Sequence, residues 1–364
     1  MMRSVALVVP GDLSERTGGY IYDRRIVDGL RRLGWHVDVV PLDASFPYPT
    51  PAALTQAAHA LAAIGAETIT IVDSLALGAM PDLIAHEASR LRIVALVHLP
   101  LAAACDLDPD AAARVAEGEG RALHAAALVI VTGSAALPLV ARYALPRDRV
   151  VVVEPGTDRA PLARGSSGYQ SDVVSGFSRT GPLELLTVAT LNPGKGHESL
   201  LAALSAVRHR DWRLTCAGSL TRHPETTGRV RAAITRCGLA DRVTLAGDLD
   251  GAALEACYDR ADVFVLATRQ ETYGMAVAEA LAHGLPVVAT MTGAIPDLLA
   301  EGAGLVVPVG DTYALTEALS RVLRDAGLRA RLAEGARRVR DRLPTWEETS
   351  ERMAAALDSL AAHG

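Results

Sequence analysis

Two glutamates eight positions apart, Glu271 and Glu279, frame a segment whose residue types and spacing suit ligand binding. Glu271 follows a strand-like run over residues 263–267, and Glu279 lies in an otherwise apolar helical stretch. Burying a carboxylate in such a helix is costly unless it has hydrogen-bond partners. The vicinal hydroxyls of a ribose and a sugar ring would be such partners. The structural alternative is a helix-capping Glu271 and a partly exposed Glu279. The amides between the two glutamates open the predicted helix and suit phosphates; they belong to Thr272, Tyr273, Gly274 and Met275.

A lysine flanked by glycines forms the second candidate site. Residues 192–198 read Asn-Pro-Gly-Lys-Gly-His-Glu and lie between a predicted strand and a predicted helix. The helix amides, the helix dipole and the Lys195 ammonium would act on one point, an arrangement that suits a diphosphate. The loop lacks the Ser or Thr that follows the lysine of a Walker A loop and holds magnesium. The structural alternative is a capped helix with a solvated Lys195.

The glycine pair Gly18-Gly19, between the first predicted strand and the first predicted helix, is the third candidate. Two glycines let the backbone approach a ligand closely, and the amides of a helix start suit an anion. The structural alternative is that the two glycines only permit a turn of the backbone. The fingerprint Gly-x-Gly-x-x-Gly is absent from this loop, which disfavours a dinucleotide-binding dehydrogenase.

The composition excludes several classes of protein. Of the 364 residues, 50% are hydrophobic and 21% charged, enough for two cores. A net charge of −6 with 4% aromatic residues disfavours nucleic-acid binding. No apolar run reaches the roughly 18 residues of a membrane span, although peripheral membrane contact stays open. The N-terminus lacks an export signal and the four cysteines lie far apart, so we predict a cytoplasmic protein with reduced thiols.

A repeating order of strand, turn and amphipathic helix must position these loops, and it predicts parallel sheets covered by helices on both faces. The repeat is broken at residues 161–182, a Gly- and Ser-rich segment predicted to be a linker or mobile loop. We therefore predict an α/β protein with doubly wound, Rossmann-like domains over residues 1–160 and 183–344. A terminal helix over residues 345–364 is predicted to pack back on the first domain. Ligands of such sheets bind at the carboxyl ends of the strands, so we expect the active site in the cleft between the domains.

Taken together, the motifs resemble those of the retaining family 4 glycosyltransferases of the GT-B fold. The resemblance covers nearly the whole chain and is densest in the second half. There residues 261–265 resemble a strand of the family, and residues 282–290 resemble its helix exit and next strand. Residues 292–297 are similar to its Gly-Gly-x-Pro-Glu loop, with two conservative changes. The resemblance implies two doubly wound Rossmann-like domains facing across a cleft and a nucleotide-diphosphate sugar as the donor.

The resemblance also implies a role for each motif residue of the second half. Glu279 would hold the ribose hydroxyls, Lys195 the donor diphosphate, and Glu271 the hydroxyls of the transferred sugar. The backbone around Tyr273, Gly274 and Met275, with Thr272, would contact the sugar and the phosphates. Lys195 and Glu271 would accordingly be both donor-binding and catalytic residues.

Further donor-binding positions follow from the same resemblance. Gly18 and Gly19 would close on the diphosphate from the first domain, and the backbones around Gly218 and Ala246 would line the pocket of the base. His98, at the end of a predicted strand, matches a histidine that the family often has near the anomeric centre and the acceptor, so the resemblance implies a catalytic role for it. Its structural alternative is a core histidine that is hydrogen-bonded to the backbone.

One position departs from the family. Many relatives carry an arginine five residues before the loop lysine, as a second cation on the diphosphate, but this chain has Thr190 there. Arg222, Arg269 and Arg24 are the candidate replacements, and spacing alone does not choose among them.

The sequence thus predicts a retaining, metal-independent hexosyltransferase that uses a UDP- or GDP-sugar and no resident cofactor. The resemblance implies a front-face reaction in which the leaving phosphate acts as the base. The acceptor is open among lipids, glycans and small molecules. The alternatives are a nucleotide-sugar epimerase or a pseudo-glycosyl coupling enzyme on the same fold, and a non-catalytic nucleotide-sugar binding module.

Overall fold

A computed structural model describes residues 3–103, 109–166, 181–209 and 211–361. The chain divides into two compact units: unit 1 comprises Met1–Gly156 and Pro344–Gly364, and unit 2 comprises Thr157–Leu343. Each unit holds one six-stranded sheet, and every strand pairing is parallel. The predicted α/β class with two Rossmann-like sheets is therefore confirmed. Of the predicted linker over residues 161–182, residues 167–180 lie outside the described residues.

Unit 1 is built on short β-branched strands that are buried on both faces, as a parallel sheet covered by helices requires. Residues 5–9 of the first strand are at most 3% exposed. The strands are β1 Ser4–Pro10, β2 His36–Leu42, β3 Ile69–Asp73, β4 Arg92–Val97, β5 Leu128–Val131 and β6 Val150–Val152. The helices are α1 Gly18–Arg32, α2 Pro51–Ala62, α3 Ser74–Leu77, α4 Pro81–Glu87, α5 Pro109–Ala125 and α6 Leu137–Ala141. The strand order is β2-β1-β3-β4-β5-β6.

Unit 2 repeats this plan around its own apolar core. Its strands are β7 Leu183–Val188, β8 Trp212–Ala217, β9 Val243–Gly247, β10 Val263–Leu266, β11 Val287–Thr290 and β12 Gly304–Val307. Its helices are α7 His197–Ala206, α8 Pro224–Arg236, α9 Gly251–Arg260, α10 Met275–Ala282, α11 Ile295–Leu298, α12 Thr312–Arg324 and α13 Ala326–Arg340. The strand order is β12-β11-β10-β7-β8-β9.

The strand orders fix where each sheet can bind a ligand. In unit 2 the order reverses between β7 and β10, and in unit 1 it reverses between β1 and β3. At such a switch point the two connections leave on opposite sides, which opens a crevice at the carboxyl ends of the strands. The loop after β7 carries Lys195 and the loop after β10 carries Glu271, whereas the loop after β1 leads to Gly18.

The last helix, α14 (Trp346–Ala361), belongs to unit 1 and lies against α1. Gly29 of α1 faces Ser350 so closely that a Cβ on Gly29 would lie 2.5 Å from the Ser350 Cβ. The ring of Trp346 meets the ring of Tyr22 edge to face at a centroid distance of 6.0 Å. A glycine on α1 therefore permits the close approach of α14.

Two further predictions made from the sequence concern membrane-spanning helices and the cysteines. None of their helices combines the length and the apolar character of a membrane span. Cys216, Cys237 and Cys257 are free thiols, and Cys105 lies outside the described residues.

We expect Gly29→Ala to destabilise unit 1, because the added methyl group overlaps Ser350 and overpacking of this kind costs about 1–3 kcal/mol. Gly228→Ala in α8 is the matched control, since an added Cβ there meets nothing within 4 Å and alanine is the better helix former by up to about 1 kcal/mol. Denaturant titrations give the free energy of unfolding of both variants. Equal effects would contradict a tight approach of α14 to α1.

Candidate active site

An ion pair joins the two predicted loops at the switch point of unit 2. Lys195 Nζ lies 2.7 Å from Glu271 Oε2, and the two side chains are 25% and 17% exposed. At this degree of burial the attraction is stronger than that of a surface pair, and each charge offsets part of the desolvation cost of the other. The structure therefore brings together two residues that are 76 positions apart in the chain.

The turn at Lys195 is fastened to the end of β10 by its backbone. The Gly194 carbonyl accepts hydrogen bonds from Arg269 N at 2.7 Å and from Thr268 Oγ1 at 3.1 Å. Gly196 adopts a left-handed conformation (φ +66°) and runs so close to β10 that an added Cβ would lie 1.9 Å from the Ala267 carbonyl oxygen. The loops that carry Lys195 and Glu271 consequently form one hydrogen-bonded piece.

The loop after β11 holds the Glu271 loop from the other side. Ala294 N donates to the Thr272 carbonyl at 3.2 Å. Gly293 passes the same loop without room for a side chain, since an added Cβ would lie 2.1 Å from the Glu271 carbonyl oxygen. Gly274, with φ +98°, then turns the chain into α10. Glu271 and the start of α10 are therefore held in a fixed relation.

Glu279 lies in the second turn of α10, half-buried, and it finds its partner on another helix. The Tyr258 hydroxyl donates to Glu279 Oε2 at 2.8 Å. Burial, reinforced by the Glu279 charge, raises the pKa of Tyr258 well above its ordinary value, so the phenol keeps its proton as a donor. The Tyr258 ring stacks on His283 at a centroid distance of 4.6 Å, which fixes its position. Tyr258 thus stabilises a carboxylate in an otherwise apolar helix.

Two more predicted positions lie at the ends of neighbouring strands. Gly218 follows β8, and its amide donates to the Gly247 carbonyl at 2.9 Å. A Cβ on Gly218 would lie 2.1 Å from the Ala189 carbonyl oxygen, so only glycine fits beside the chain that leaves β7. Ala246 lies within β9, next to the same edge. These backbones therefore share the carboxyl edge of the sheet with the Lys195 turn.

The predicted residues of unit 1 meet at the carboxyl edge of its own sheet. Gly19, in the first turn of α1, faces the His98 ring, and an added Cβ would lie 3.3 Å from His98 Cδ2. Gly18 opens the same helix. His98 Nε2 lies 3.0 Å from Asp23 Oδ1 and 3.5 Å from Asp73 Oδ2. The structure thus joins Gly19 and His98, and it adds two carboxylates to them.

The charges of this cluster shift its proton affinities. Burial alone would lower the pKa of His98, but the carboxylates of Asp23 and Asp73 outweigh it and raise that pKa above its ordinary value. Burial, together with the Asp23 charge, raises the pKa of Asp73 to about 7, although the His98 charge opposes the rise. In the part of the chain that the structure describes, these three side chains are the one group of metal-binding types, with ligand atoms within 4.8 Å of one another. Because the His98–Asp23 contact has the length of a hydrogen bond, we assign no metal to the group.

Sequence reasoning missed four residues of these sites: Asp23, Asp73, Tyr258 and Thr268. A signal existed for the first two. Asp23 lies three and four positions before Ile26 and Val27, so it is a charge on the apolar face of α1, and Asp73 ends a fully buried strand. Tyr258 and Thr268 carried no comparable signal, because a tyrosine in a helix and a threonine after a strand are ordinary core residues.

We expect Thr268→Val to loosen the Lys195 turn, because it removes a buried hydroxyl that lies 3.1 Å from Gly194 O while keeping the size of the side chain. The loss should be about 1 kcal/mol of unfolding free energy, with faster amide exchange at Lys195. Thr235→Val is the control, since that hydroxyl is exposed and bonds only within its own helix. Equal rates of amide hydrogen exchange at Lys195 in the two variants would show that the Thr268 hydroxyl does not hold the turn.

Comparison with known proteins gives the family. Residues 182–325 match the family model described as glycosyl transferases group 1. A D-inositol 3-phosphate glycosyltransferase of Salinispora tropica is 32% identical over 253 residues, 66% of this chain and 52% of that protein. The protein of the same name from Stackebrandtia nassauensis is 30% identical over 291 residues, 77% of this chain and 62% of that protein. The chain thus spans about half to three fifths of the length of these curated relatives.

Solved structures agree on the fold. Sucrose-phosphate synthase from Thermosynechococcus elongatus matches with a TM-score of 0.83 and 22% identity over 100% of both chains. The Anabaena protein HepE in complex with UDP and glucose matches with a TM-score of 0.77 and 16% identity, over 98% of this chain and 100% of that one. The resemblance drawn from the sequence is confirmed: the chain belongs to the glycosyl transferases group 1, glycosyltransferase family 4, and has the GT-B fold.

Proposed function

We propose that the protein is a retaining glycosyltransferase that moves a hexose-type sugar from a UDP- or GDP-sugar to an acceptor. The observation that carries the proposal is the Lys195–Glu271 ion pair at the β7/β10 switch point, beside the start of α10. A cation, a carboxylate and a helix N-terminus at one crevice match the diphosphate and the sugar of such a donor. The HepE complex with UDP and glucose supports a uridine nucleotide as the first candidate.

Lys195 binds the donor diphosphate in this proposal. An ammonium with three donors can keep its contact with Glu271 and still donate to phosphate oxygens. As negative charge grows on the departing diphosphate, the attraction of Lys195 grows with it, which lowers the barrier electrostatically. The bond between the anomeric carbon and the phosphate oxygen breaks, and the leaving phosphate takes the proton of the acceptor hydroxyl. The acceptor oxygen then bonds to the anomeric carbon on the face from which the diphosphate leaves.

Glu271 accepts hydrogen bonds from the hydroxyls of the transferred sugar. The ion pair fixes the orientation of its carboxylate, and the flanking loops keep it beside the first turn of α10. The amides from Thr272 to Met275 contact the sugar and the phosphates. The site therefore aligns the sugar before reaction, which converts binding energy into rate.

Glu279 binds the ribose hydroxyls, with Tyr258 orienting its carboxylate. The backbones at Gly218 and Ala246 line the base pocket. Arg269 supplies the second cation that the family has at the Thr190 position, because its amide is bonded to Gly194 in the Lys195 turn. That Gly18, Gly19 and His98 contact the same donor stays a prediction.

The acceptor, the cytoplasmic location and any peripheral membrane contact also stay predictions. Product analysis with a labelled donor separates the alternatives. Release of nucleotide that depends on an acceptor supports transfer, whereas a donor changed only in its sugar indicates an epimerase. A donor that binds but is never consumed indicates a binding module.

Glu279→Gln and Glu271→Gln should differ, because they act at opposite ends of the donor. We expect Glu279→Gln to weaken UDP and the UDP-sugar alike, about tenfold, since a charge-assisted hydrogen bond is worth roughly 1.5–3 kcal/mol. Glu271→Gln should keep UDP affinity and lower kcat, because it removes a contact that UDP does not make. Calorimetric titration with UDP, GDP and ADP and steady-state kinetics measure both effects.

Glu317→Gln, an exposed carboxylate on α12, is the matched control and should bind and turn over as the unaltered protein does. Loss of UDP affinity in Glu271→Gln with retention in Glu279→Gln would reverse the proposed orientation of the donor. No binding of any nucleoside diphosphate would overturn the proposed function.

We expect transfer to survive EDTA, because Lys195 and the amides of α10 neutralise the diphosphate in place of a divalent ion. Rates are measured after dialysis against EDTA and again after addition of Mn²⁺ or Mg²⁺. Activity that disappears and returns with the metal would contradict the metal-independent reaction.

A further inference from the structure

Two buried carboxylates and a partly buried histidine converge at the carboxyl edge of the unit 1 sheet. His98 follows β4, Asp73 ends β3, and Asp23 projects from α1, the helix that follows β1. Because β1, β3 and β4 are neighbours in the sheet, their ends bring the three groups together. His98 Nε2 faces both carboxylates, at 3.0 Å from Asp23 Oδ1 and 3.5 Å from Asp73 Oδ2.

Burial makes this arrangement costly unless the histidine is charged. The side chains of Asp23 and Asp73 are 0% and 4% exposed, and that of His98 is 21% exposed. Asp73 Oδ1 accepts from Leu75 N at 2.7 Å, but Asp23 Oδ2 has no partner among the described residues. A buried carboxylate is stabilised by a positive neighbour, and an imidazolium at hydrogen-bond distance is that neighbour.

The other groups around His98 supply no competing charge. Tyr22 meets the imidazole edge to face at 5.3 Å, and its hydroxyl donates to the Val153 carbonyl. Burial raises the pKa of Tyr22 well above its ordinary value, so this phenol is neutral. Arg24, the next residue on α1, is turned to the carbonyls of Leu13 and Glu15. Asp23 and Asp73 are the two charged groups that act on His98.

We propose that Asp23 is a positioning residue that, together with Asp73, holds His98 as an imidazolium whose Nδ1–H is left to donate to a ligand oxygen at the carboxyl edge of the unit 1 sheet. Nε2 is occupied by Asp23, and Nδ1 has no hydrogen-bond partner among the residues that the structure describes. The His98 side chain is one-fifth exposed, so the ring is open to a ligand at this edge of the sheet. In an imidazolium both ring nitrogens donate, so His98 acts as a donor and not as a base. The role of the bound oxygen rests on the proposed function, whereas the Asp23–His98 relation does not.

The first test measures the protonation of His98 directly in the full chain. The imidazole signals are followed by NMR from pH 5 to 9, and His98→Gln identifies the signal that disappears. We expect a midpoint above the ordinary value of about 6.5 and a fall of about one pH unit or more in Asp23→Asn. Asp28→Asn, an exposed charge change on the same helix, is the matched control and should leave the midpoint in place.

An Asp23→Asn midpoint equal to that of Asp28→Asn would overturn the proposal. If Asp23→Asn fails to fold, Asp73→Asn decides instead, with a smaller fall expected because Asp73 Oδ2 lies farther from the ring, at 3.5 Å. An unchanged midpoint in Asp73→Asn would then overturn it.

The second test determines whether the reaction requires the protonated form of His98. The slow hydrolysis of a UDP-sugar is measured against pH, with water as the acceptor. We expect kcat to fall above the His98 midpoint and the falling limb to move to lower pH in Asp23→Asn by the same interval as the NMR midpoint. If the falling limb of the kcat profile stays in place while the NMR midpoint of His98 moves, the donor role of His98 is overturned. Failure of every variant to bind a nucleoside diphosphate would overturn the proposed function, while the NMR result still decides the Asp23–His98 relation.

Discussion

The reversal of strand order between β7 and β10 is the constraint on which the site depends. Neighbouring parallel strands whose connections leave on opposite sides cannot both be covered at their carboxyl ends. The two loops that border the resulting crevice are fastened by the Gly194 carbonyl, which accepts from Thr268 and Arg269. A charged pair at this point, Lys195 and Glu271, is held by backbone geometry as much as by its own attraction.

Three carboxylates of the candidate sites have three different kinds of partner. Glu271 has an ammonium, Glu279 a phenol and Asp23 an imidazole. The partners differ in the charge that they carry. A phenol whose pKa is raised by burial stays neutral, so Tyr258 donates a hydrogen bond to Glu279 without adding a charge. The ammonium cancels the charge of Glu271, and the imidazole of His98 is shared between two carboxylates, which makes its proton sensitive to both.

Local patterns in the sequence were sufficient to predict the sheets and several of the loops. The alternation of β-branched runs and amphipathic helices predicted parallel sheets, and the ends of those strands placed Lys195 and Glu271 on binding loops. The pairing of these two residues could not be predicted, because it depends on β7 and β10 being neighbours in the sheet although two other strands, β8 and β9, lie between them in the chain. The Asp23–His98 contact, 75 positions apart, depends likewise on strand order. Asp23 was nevertheless visible as a charge on an apolar helix face, a pattern that favours a buried partner.

The return of α14 to unit 1 has a consequence for biosynthesis. The ribosome completes residues 1–156 first, then the whole of unit 2, and only afterwards the helix that covers α1. At about 5–20 residues per second the delay is on the order of tens of seconds. During this time Tyr22 lacks the Trp346 ring that packs on it, and Tyr22 is the residue that packs on His98. The nascent chain therefore exposes an apolar helix face until α14 emerges, and the imidazole acquires its complete surroundings only after α14 has packed on α1.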